Sequence, residues 1–197
     1  MKFDFCLILL LIFMFSVFLV FLSICNRCNY WTDFQNKKYK TIDYNEIIPN
    51  LYIGNIDSAN NLSFIKKKKI KVIINCSNKI PNFFENKLEL EYYRIPVDDS
   101  LLEEDINKMQ SLLPQYVNII DQSLLNNKPV LVHCYAGRQR SACLIAAYLM
   151  YKYKYSLDEV YKFILSKRPE TFHYGKSFNF HKALINYKKN NNIDKLN

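Results

Sequence analysis

One short segment constrains the chain more than any other, because an apolar β-rich run, a polar loop and a helix-forming run follow each other without a break. The apolar run is residues 130–132, the loop is residues 133–140, and the helix-forming run is residues 142–150. The free N–H groups and the positive dipole end of a helix N-terminus attract anions. The pattern therefore predicts a buried strand that leads through an anion-binding loop into a helix.

The residue types within this loop suit phosphate chemistry. Gly137 can adopt backbone conformations closed to other residues and lets amides approach a ligand. The planar guanidinium of Arg140 can bind two phosphate oxygens at once. Cys134 lies in the same positive surroundings, which should favour its nucleophilic thiolate. The alternative is a buried structural Cys beside a surface Arg, but the strand and helix on either side favour the catalytic interpretation.

Residues 133–141 follow the pattern His-Cys-x-x-Gly-x-x-Arg-Ser, which resembles the signature of cysteine-dependent phosphatases, especially the dual-specificity branch. Residues 48–55 and 70–76 also resemble the opening of dual-specificity phosphatase domains, and the likeness covers about residues 43–187. It implies an α/β fold with a central, mostly parallel sheet flanked by helices. The alternation of strand and helix patterns favours the same class and places the loop at the carboxyl end of a strand.

The resemblance also implies a role for each residue of the signature. Cys134 would attack the phosphate and form a cysteinyl-phosphate, and Ser141 would hydrogen-bond the sulfur and help it leave in the second step. His133 would orient the loop rather than move protons. The phosphate would be held by six consecutive loop residues: Tyr135, Ala136, Gly137, Arg138, Gln139 and Arg140.

An acid for the departing oxygen must come from outside this loop. Asp98 and Asp99 follow the strand predicted at residues 88–95. By resemblance the acid stands three residues after Pro96, which selects Asp99 and would also let it deprotonate the hydrolytic water. Asp98 is the alternative, since adjacent side chains point in different directions. This mechanism needs no cofactor or metal, and the sequence shows no cluster of metal-ligand residues.

Residues 6–25 form an apolar run without a charge. A helix of this length spans about 30 Å, one bilayer core, which favours a transmembrane anchor over a signal peptide or a buried core helix. Before the run, Lys2 is partly offset by Asp4. Positive residues are more numerous after it, so we expect a single-pass protein with its catalytic domain in the cytosol, where thiols stay reduced. These residues are Arg27, Lys37, Lys38 and Lys40.

The sequence divides into four segments: an anchor at 1–28, a linker at 29–43, a catalytic domain at 44–188 and a disordered tail at 189–197. Within the domain we predict strands at residues 47–54, 70–76, 88–95 and 130–132. Helices are predicted at about 57–68, 100–125, 140–153, 156–166 and 177–189. Capping boxes at residues 100–103 and 156–159 mark two helix starts, and Pro114 should kink or divide the second helix.

We compare three functions with these residues, and only the first two are compatible with all of them. The first is a phosphatase for phosphotyrosine, and also phosphoserine or phosphothreonine, in proteins. The alternative is a phosphoinositide or other lipid phosphatase, which the anchor and Arg138 favour and Tyr135 opposes. A non-catalytic phosphate-binding module would be expected to lack Cys134, Arg140 or both aspartates. The net charge of +9 suggests a solvated surface that also aids attraction to an anionic membrane, and we expect no nucleic-acid partner.

The six cysteines do not suggest a disulfide framework. Cys76 ends a strand predicted to lie beside the active-site strand, and some members of the family protect an oxidised nucleophile with a Cys at a similar place. One hypothesis is therefore a reversible Cys76–Cys134 disulfide under peroxide, and the other is that Cys76 is a small core residue. The sequence predicts neither an oligomeric state nor a physiological substrate.

Overall fold

The computed structural model describes residues 42–86, 89–100, 102–172 and 180–190. The predicted anchor at residues 6–25 lies outside the described residues, and so does the part of the predicted tail after residue 190. Among the residues that are described, none belongs to a helix long and apolar enough to cross a bilayer.

Strands and helices alternate along this part of the chain, in agreement with the predicted α/β class. A five-stranded sheet has the order β1-β2-β5-β3-β4, in which only β1 and β2 are antiparallel. The strands are β1 Tyr44–Ile48, β2 Leu51–Gly54, β3 Val72–Asn75, β4 Glu91–Arg94 and β5 Val130–His133. The helices are α1 Ile56–Ala59, α2 Leu62–Lys67, α3 Glu103–Leu125, α4 Arg140–Tyr153, α5 Leu157–Lys167 and α6 His181–Asn190.

The sheet is buried on both faces, which explains the continuous apolar runs of its central strands. Successive side chains of a strand point to opposite faces. Leu131 therefore packs with Phe64 on the side of α1 and α2. Val130 and Val132 pack with Leu144 on the side of the longer helices. This double burial fixes β5 at the centre of the domain, and its carboxyl end carries the loop of interest.

The predicted strand at residues 47–54 is instead a hairpin of β1 and β2, joined at Pro49 and Asn50. Asn50 has a φ of 65°, a left-handed conformation that Asn tolerates well. Its carbonyl accepts a hydrogen bond from the Val130 N–H at 2.8 Å, which ties the turn to the start of β5. The sheet therefore has an edge strand, β1, that the sequence did not predict.

The helix predicted at residues 57–68 is also divided, into α1 and α2. Asn55 and Asn61 each cap one of them, because their side chains accept the N–H groups of Ser58 and Phe64 at 2.9 Å. Residue 88 of the strand predicted at 88–95 lies outside the described residues, and the described part forms a strand only at β4.

Pro114 does not divide α3, which runs without interruption from Glu103 to Leu125. A proline inside a helix costs about 3 kcal/mol. Burial offsets this cost, since Met109, Leu113, Val117 and Ile120 lie on one buried face of the helix. Each such side chain contributes about 1.5–3 kcal/mol when it is removed from water.

One predicted capping box is wrong and the other is confirmed. The helix expected from residue 100 begins at Glu103, with Leu102 as N-cap and no side-chain capping bond. Ser156 and Glu159 do form the predicted box at the start of α5. The predicted start of the last helix, residues 177–179, lies outside the described residues, and α6 extends to Asn190.

Candidate active site

The loop at residues 134–139, named here the nucleophile loop, connects β5 directly to α4 as predicted. His133 is the last residue of β5 and Arg140 is the first residue of α4. Because β2 and β3 flank β5 in parallel, the carboxyl ends of three strands meet beside the loop. This edge is where α/β proteins bind ligands.

Gly137 allows the nucleophile loop to lie against β2, and Gly54 allows α1 to lie against the same strand. Gly137 has a φ of +66°, and a Cβ atom there would lie 2.6 Å from the carbonyl oxygen of Gly54. A Cβ atom on Gly54 would in turn meet the Ser58 hydroxyl at 2.0 Å. The Ile56 N–H also donates to the Tyr135 carbonyl at 3.0 Å. The conformational role predicted for Gly137 therefore includes a close backbone contact.

The Cys134 thiol lies within hydrogen-bond distance of the Ser141 hydroxyl, with 3.3 Å between Sγ and Oγ. Cys134 is only 1% exposed, and Ser141 is buried in the first turn of α4. A hydroxyl in this position can donate to a thiolate and stabilise its negative charge. The roles of both residues in the reaction stay predictions.

The Arg140 guanidinium is buried beside the nucleophile loop and carries a donor available for a ligand. Its Nη1 donates to the Val97 carbonyl at 3.3 Å, and its Nε–H has no hydrogen-bond acceptor among the described residues. The amide nitrogen of Gln139, also buried, likewise lacks an acceptor there. Gln139 provides no side-chain cap for α4. Two buried side-chain donors at the N-terminus of α4 thus lack an acceptor among the described residues, which suits an anion site.

Both candidate acids line one cavity of about 420 Å³ together with Tyr135 and Arg140. The carboxylate of Asp99 lies 3.8 Å from the Arg140 Nε, whereas that of Asp98 lies 3.5 Å from the Lys79 amine at the rim. Asp99 is thus the carboxylate beside the predicted phosphate-binding Arg140. This geometry supports the choice of Asp99 as the acid, which stays a prediction.

His133 is buried, and its surroundings disfavour a positive charge. Burial is the largest cause that lowers the pKa of His133, to about 4, and Arg94 and Arg140 act in the same direction. A hydrogen bond with the backbone of Cys134 opposes the shift. A neutral imidazole at physiological pH fits the predicted orienting role better than a role in proton transfer.

Sequence reasoning assigned no role to Arg168, yet this side chain is 1% exposed and holds the nucleophile loop from behind. Its Nε donates to the Gly137 carbonyl at 2.9 Å and its Nη2 to the Ala136 carbonyl at 3.3 Å. In a trans peptide the N–H points opposite to the C=O. The N–H groups of Gly137 and Arg138 therefore face away from Arg168, as an anion-binding loop requires.

The same guanidinium reaches the other end of the domain sequence. Arg168 Nη1 donates to the Ile42 carbonyl at 2.8 Å and to the Asn45 side chain at 2.6 Å. Its Nη2 lies 3.2 Å from the buried carboxylate of Glu170, an ion pair without hydrogen-bond geometry. An Arg at the end of a helix has no local pattern that would reveal these distant partners.

A second arginine without a predicted role, Arg94, holds one wall of the cavity that Asp98 and Asp99 line. Arg94 donates to the carbonyls of Ser77 and Ile80 at 2.6 and 2.8 Å and to the Asn82 side chain at 3.0 Å. Ser77 and Ile80 line the cavity with Lys79. Arg94 thus fixes the loop after β3 that forms this wall.

Cys76 lies next to the active-site strand, as expected. It follows Asn75, which pairs with His133, and its N–H donates to the His133 carbonyl at 2.8 Å. Burial, followed by the nearby Cys134, raises the pKa of the Cys76 thiol well above its usual value. Both thiols are free, and the disulfide stays a hypothesis.

The model of the dual specificity phosphatase catalytic domain family matches residues 51–190. Human dual specificity protein phosphatase 9 is 33% identical over 144 residues, and human dual specificity protein phosphatase 16 is 37% identical over 145 residues. Each alignment covers 73% of this chain. The chain spans only 36% and 20% of the lengths of these two relatives.

Solved structures show the same fold. Human tyrosine phosphatase-like serine/threonine/tyrosine-interacting protein is 26% identical, with a TM-score of 0.65, and the match covers 75% of this chain and 97% of that one. PTPMT1 in complex with PI(5)P is 18% identical, with a TM-score of 0.61, and the match covers 78% and 98%. With the family match over most of the described residues, the chain belongs to the dual-specificity phosphatase family.

Proposed function

We propose that this protein hydrolyses phosphate monoesters of phosphotyrosine, and also of phosphoserine and phosphothreonine, in proteins. The proposal is carried by three side chains of the site. The Cys134 thiol and the Arg140 guanidinium are buried, and the Asp99 carboxylate lies 3.8 Å from that guanidinium. These groups supply a nucleophile, a phosphate anchor and an acid, the parts that thiolate-dependent phosphoryl transfer needs.

In the first step the Cys134 thiolate attacks phosphorus, so that an S–P bond forms while the ester P–O bond breaks. Asp99 gives its proton to the departing oxygen, which leaves as an alcohol or phenol. Arg140 and the loop N–H groups bind the phosphoryl oxygens on which negative charge is concentrated. The product of this step is a cysteinyl-phosphate.

In the second step water attacks phosphorus and transfers a proton to Asp99. The S–P bond breaks, inorganic phosphate departs, and the sulfur becomes a thiolate again. The Ser141 hydroxyl, 3.3 Å from Sγ, donates to the sulfur as its charge returns. The enzyme is then ready for another substrate.

The rim of the cavity supports a protein substrate. The Tyr135 side chain is 64% exposed and can pack against an aromatic or aliphatic group that enters above the loop. Lys79, also exposed, can attract acidic residues that flank the phosphorylated residue.

A lipid phosphatase is the second candidate, and Arg138 is the observation that favours it. Arg138 adds a second positive charge to the nucleophile loop beside Arg140. An inositol phosphate headgroup carries more negative charge than a single phosphoryl group and would use both. The exposed aromatic ring of Tyr135 counts against this candidate, because lipid-directed members of the superfamily usually carry Lys there.

The test uses the full-length chain, purified in detergent with a reductant. Phosphate release is measured side by side from a phosphotyrosine peptide, a phosphothreonine peptide and a phosphoinositide. We expect release from both peptides, and we expect Cys134→Ser to abolish it. Cys143→Ala is the matched control, because the buried thiol of Cys143 reaches the Phe180 carbonyl at 3.8 Å rather than the nucleophile loop, and its loss should leave activity in place.

Two results would contradict the proposal. Release from the phosphoinositide alone would favour the lipid phosphatase. No release from any of the three substrates by a folded protein would favour a phosphate-binding module.

We also propose that residues 6–25 anchor the chain in a membrane, with the catalytic domain in the cytosol. The uncharged run and the positive residues that follow it support this orientation. Deletion of residues 6–25 should move the protein from the carbonate-resistant membrane fraction to the supernatant. A C-terminal tag should be accessible to protease in intact microsomes. A tag protected from the protease would indicate the opposite orientation.

A further inference from the structure

Asp99, the predicted acid, lies on a loop in which the residues before and after it hydrogen-bond to the same carboxylate. This segment, residues 96–100, is named here the acid loop, and it follows β4. Asp105, in the first turn of α3, accepts the Asp98 N–H at 3.1 Å through Oδ1. Its other oxygen, Oδ2, accepts a hydrogen bond from the Ser100 hydroxyl. The residues immediately before and after Asp99 are thus bound to the same side chain.

Asp105 differs from the other acidic residues of this helix turn. Glu103 and Glu104 are exposed, and Glu103 pairs with Lys182 on the surface. Both oxygens of Asp105, in contrast, are engaged by the acid loop. Ile106, which follows Asp105, and Met109, three residues later, are buried and pack α3 into the core. Asp105 therefore connects the acid loop to an element that cannot shift without loss of core packing.

A second contact ties the acid loop to the nucleophile loop. The Arg140 Nη1 donates to the Val97 carbonyl at 3.3 Å, and its Nε lies 3.8 Å from the Asp99 carboxylate. The acid loop is therefore held at the Val97 carbonyl by Arg140, and at the Asp98 N–H and the Ser100 hydroxyl by Asp105. Asp99 projects between these points into the cavity that it lines.

We propose that Asp105 is a positioning residue for the general acid, which holds Asp99 where the leaving oxygen departs. This inference rests on the proposed function, because it requires that Asp99 protonates the leaving group. A general acid must lie within about 2.6–3.2 Å of the atom it protonates. A displacement of about 1 Å can lower a rate by about 10²-fold. Asp105 itself touches no reacting atom and acts only through the acid loop.

The inference predicts an effect that depends on the leaving group. A serine or threonine alkoxide is a poor leaving group and needs the proton, whereas the anion of an acidic nitrophenol leaves without one. Loss of Asp105 should therefore slow hydrolysis of a phosphothreonine peptide far more than that of a nitrophenyl phosphate. A general loss of structure would slow both alike.

The experiment compares Asp105→Ala with its neighbour Glu104→Ala in the full-length protein. We expect Asp105→Ala to lower kcat for the phosphothreonine peptide by about 10- to 100-fold, with little change in KM or in the rate on nitrophenyl phosphate. Glu104→Ala should resemble the wild type on both substrates. Asp99→Asn should show the same selectivity, and Asp99→Asn combined with Asp105→Ala should lose little more.

Ser100→Ala provides a second variant that removes one of the two bonds while leaving α3 intact. It should show a smaller loss with the same selectivity, and it decides the question if Asp105→Ala does not fold. Equal losses on both substrates, or no loss while Asp99→Asn remains selective, would overturn the inference. A wild-type protein without activity on any substrate would instead overturn the proposed function, and this inference with it.

Discussion

The nucleophile loop and the acid loop face the same cavity but are built in different ways. The nucleophile loop follows the central strand, lies against β2 and is held from behind by the buried Arg168. The acid loop follows an edge strand, carries partly exposed carboxylates and is held by Asp105 and Arg140. The part predicted to bind an anion is tied to buried groups, whereas the part predicted to donate a proton lies nearer to solvent.

Burial explains the difference. Carbonyl groups of a buried loop must find donors within the protein, and Arg168 supplies them for Ala136 and Gly137. The acid loop lies nearer to solvent, since Asp99 is exposed, and only Val97 within it is fully buried. Changes behind the nucleophile loop should therefore affect stability and activity together, while changes at the acid loop should affect activity alone.

Apart from the loss of activity expected when the nucleophile itself is changed, the largest effect is expected at the acid loop. Asp99→Asn should lower kcat for a phosphothreonine peptide by about 10²–10⁴-fold, because the amide cannot donate the proton. Asp98→Asn should leave kcat near the wild-type value, since Asp98 contacts the exposed Lys79 rather than Arg140. Steady-state kinetics of both variants would check this. The reverse order of losses would assign the acid to Asp98.

Arg168→Met should affect the nucleophile loop most strongly. The change leaves Glu170 as a buried charge without its ion-pair partner and removes the donors for the Ala136 and Gly137 carbonyls. Breaking such a buried pair costs about 3–5 kcal/mol, which urea denaturation can measure. Activity should fall alike for good and poor leaving groups. Lys167→Met is the control at the exposed neighbouring position, and equal stability of the two variants would contradict the prediction.

The pH dependence of stability should reveal the buried His133. Its unfolded-state pKa is near 6.5 and its folded-state pKa is lowered to about 4. Between these values the unfolded chain binds more protons than the folded chain. Protonation of His133 in the unfolded chain should therefore lower the free energy of unfolding as the pH falls from 6.5 to 4, by about 3 kcal/mol in total. Urea denaturation of the wild type and His133→Gln across this range would check the sign. A constant difference between the two proteins would contradict it.

The smallest effect is expected at Cys76. The wild type treated with mild peroxide should contain a Cys76–Cys134 disulfide that reductant reverses, formed when the Cys76 thiol displaces water from a sulfenic Cys134. The raised pKa of Cys76 should make this reaction slow and incomplete. Mass spectrometry after oxidation would detect the linked peptides. A sulfinic Cys134 together with a free Cys76 would refute the hypothesis.

The local sequence pattern was sufficient to predict the nucleophile loop at the centre of the site. The apolar run of β5, the turn at Gly137 and the helix-forming residues of α4 are adjacent in the chain, so the bounds of the nucleophile loop followed from the sequence. The capping box at Ser156 was predictable for the same reason, because its two residues lie three positions apart. Each of these features depends on neighbours that are also neighbours in sequence.

Features that depend on packing were not predictable in this way. The division into β1 and β2 depends on pairing across the Pro49 turn, and the continuity of α3 through Pro114 depends on a buried face that offsets the lost hydrogen bond. The sequence pattern assigned no role to Asp105. Its contact with the acid loop exists only because α3 packs in one position.

The sequence by itself determined the fold class, the nucleophile loop and the two aspartates among which the acid is predicted, since these follow from short contiguous patterns and from the family resemblance that they carry. Only the tertiary structure decided which side chains hold these parts in place. Arg168 and Ile42 are 126 positions apart in the chain, yet they are joined by a hydrogen bond of 2.8 Å. No local pattern encodes such a contact, because it forms only when the whole sheet and its helices have packed.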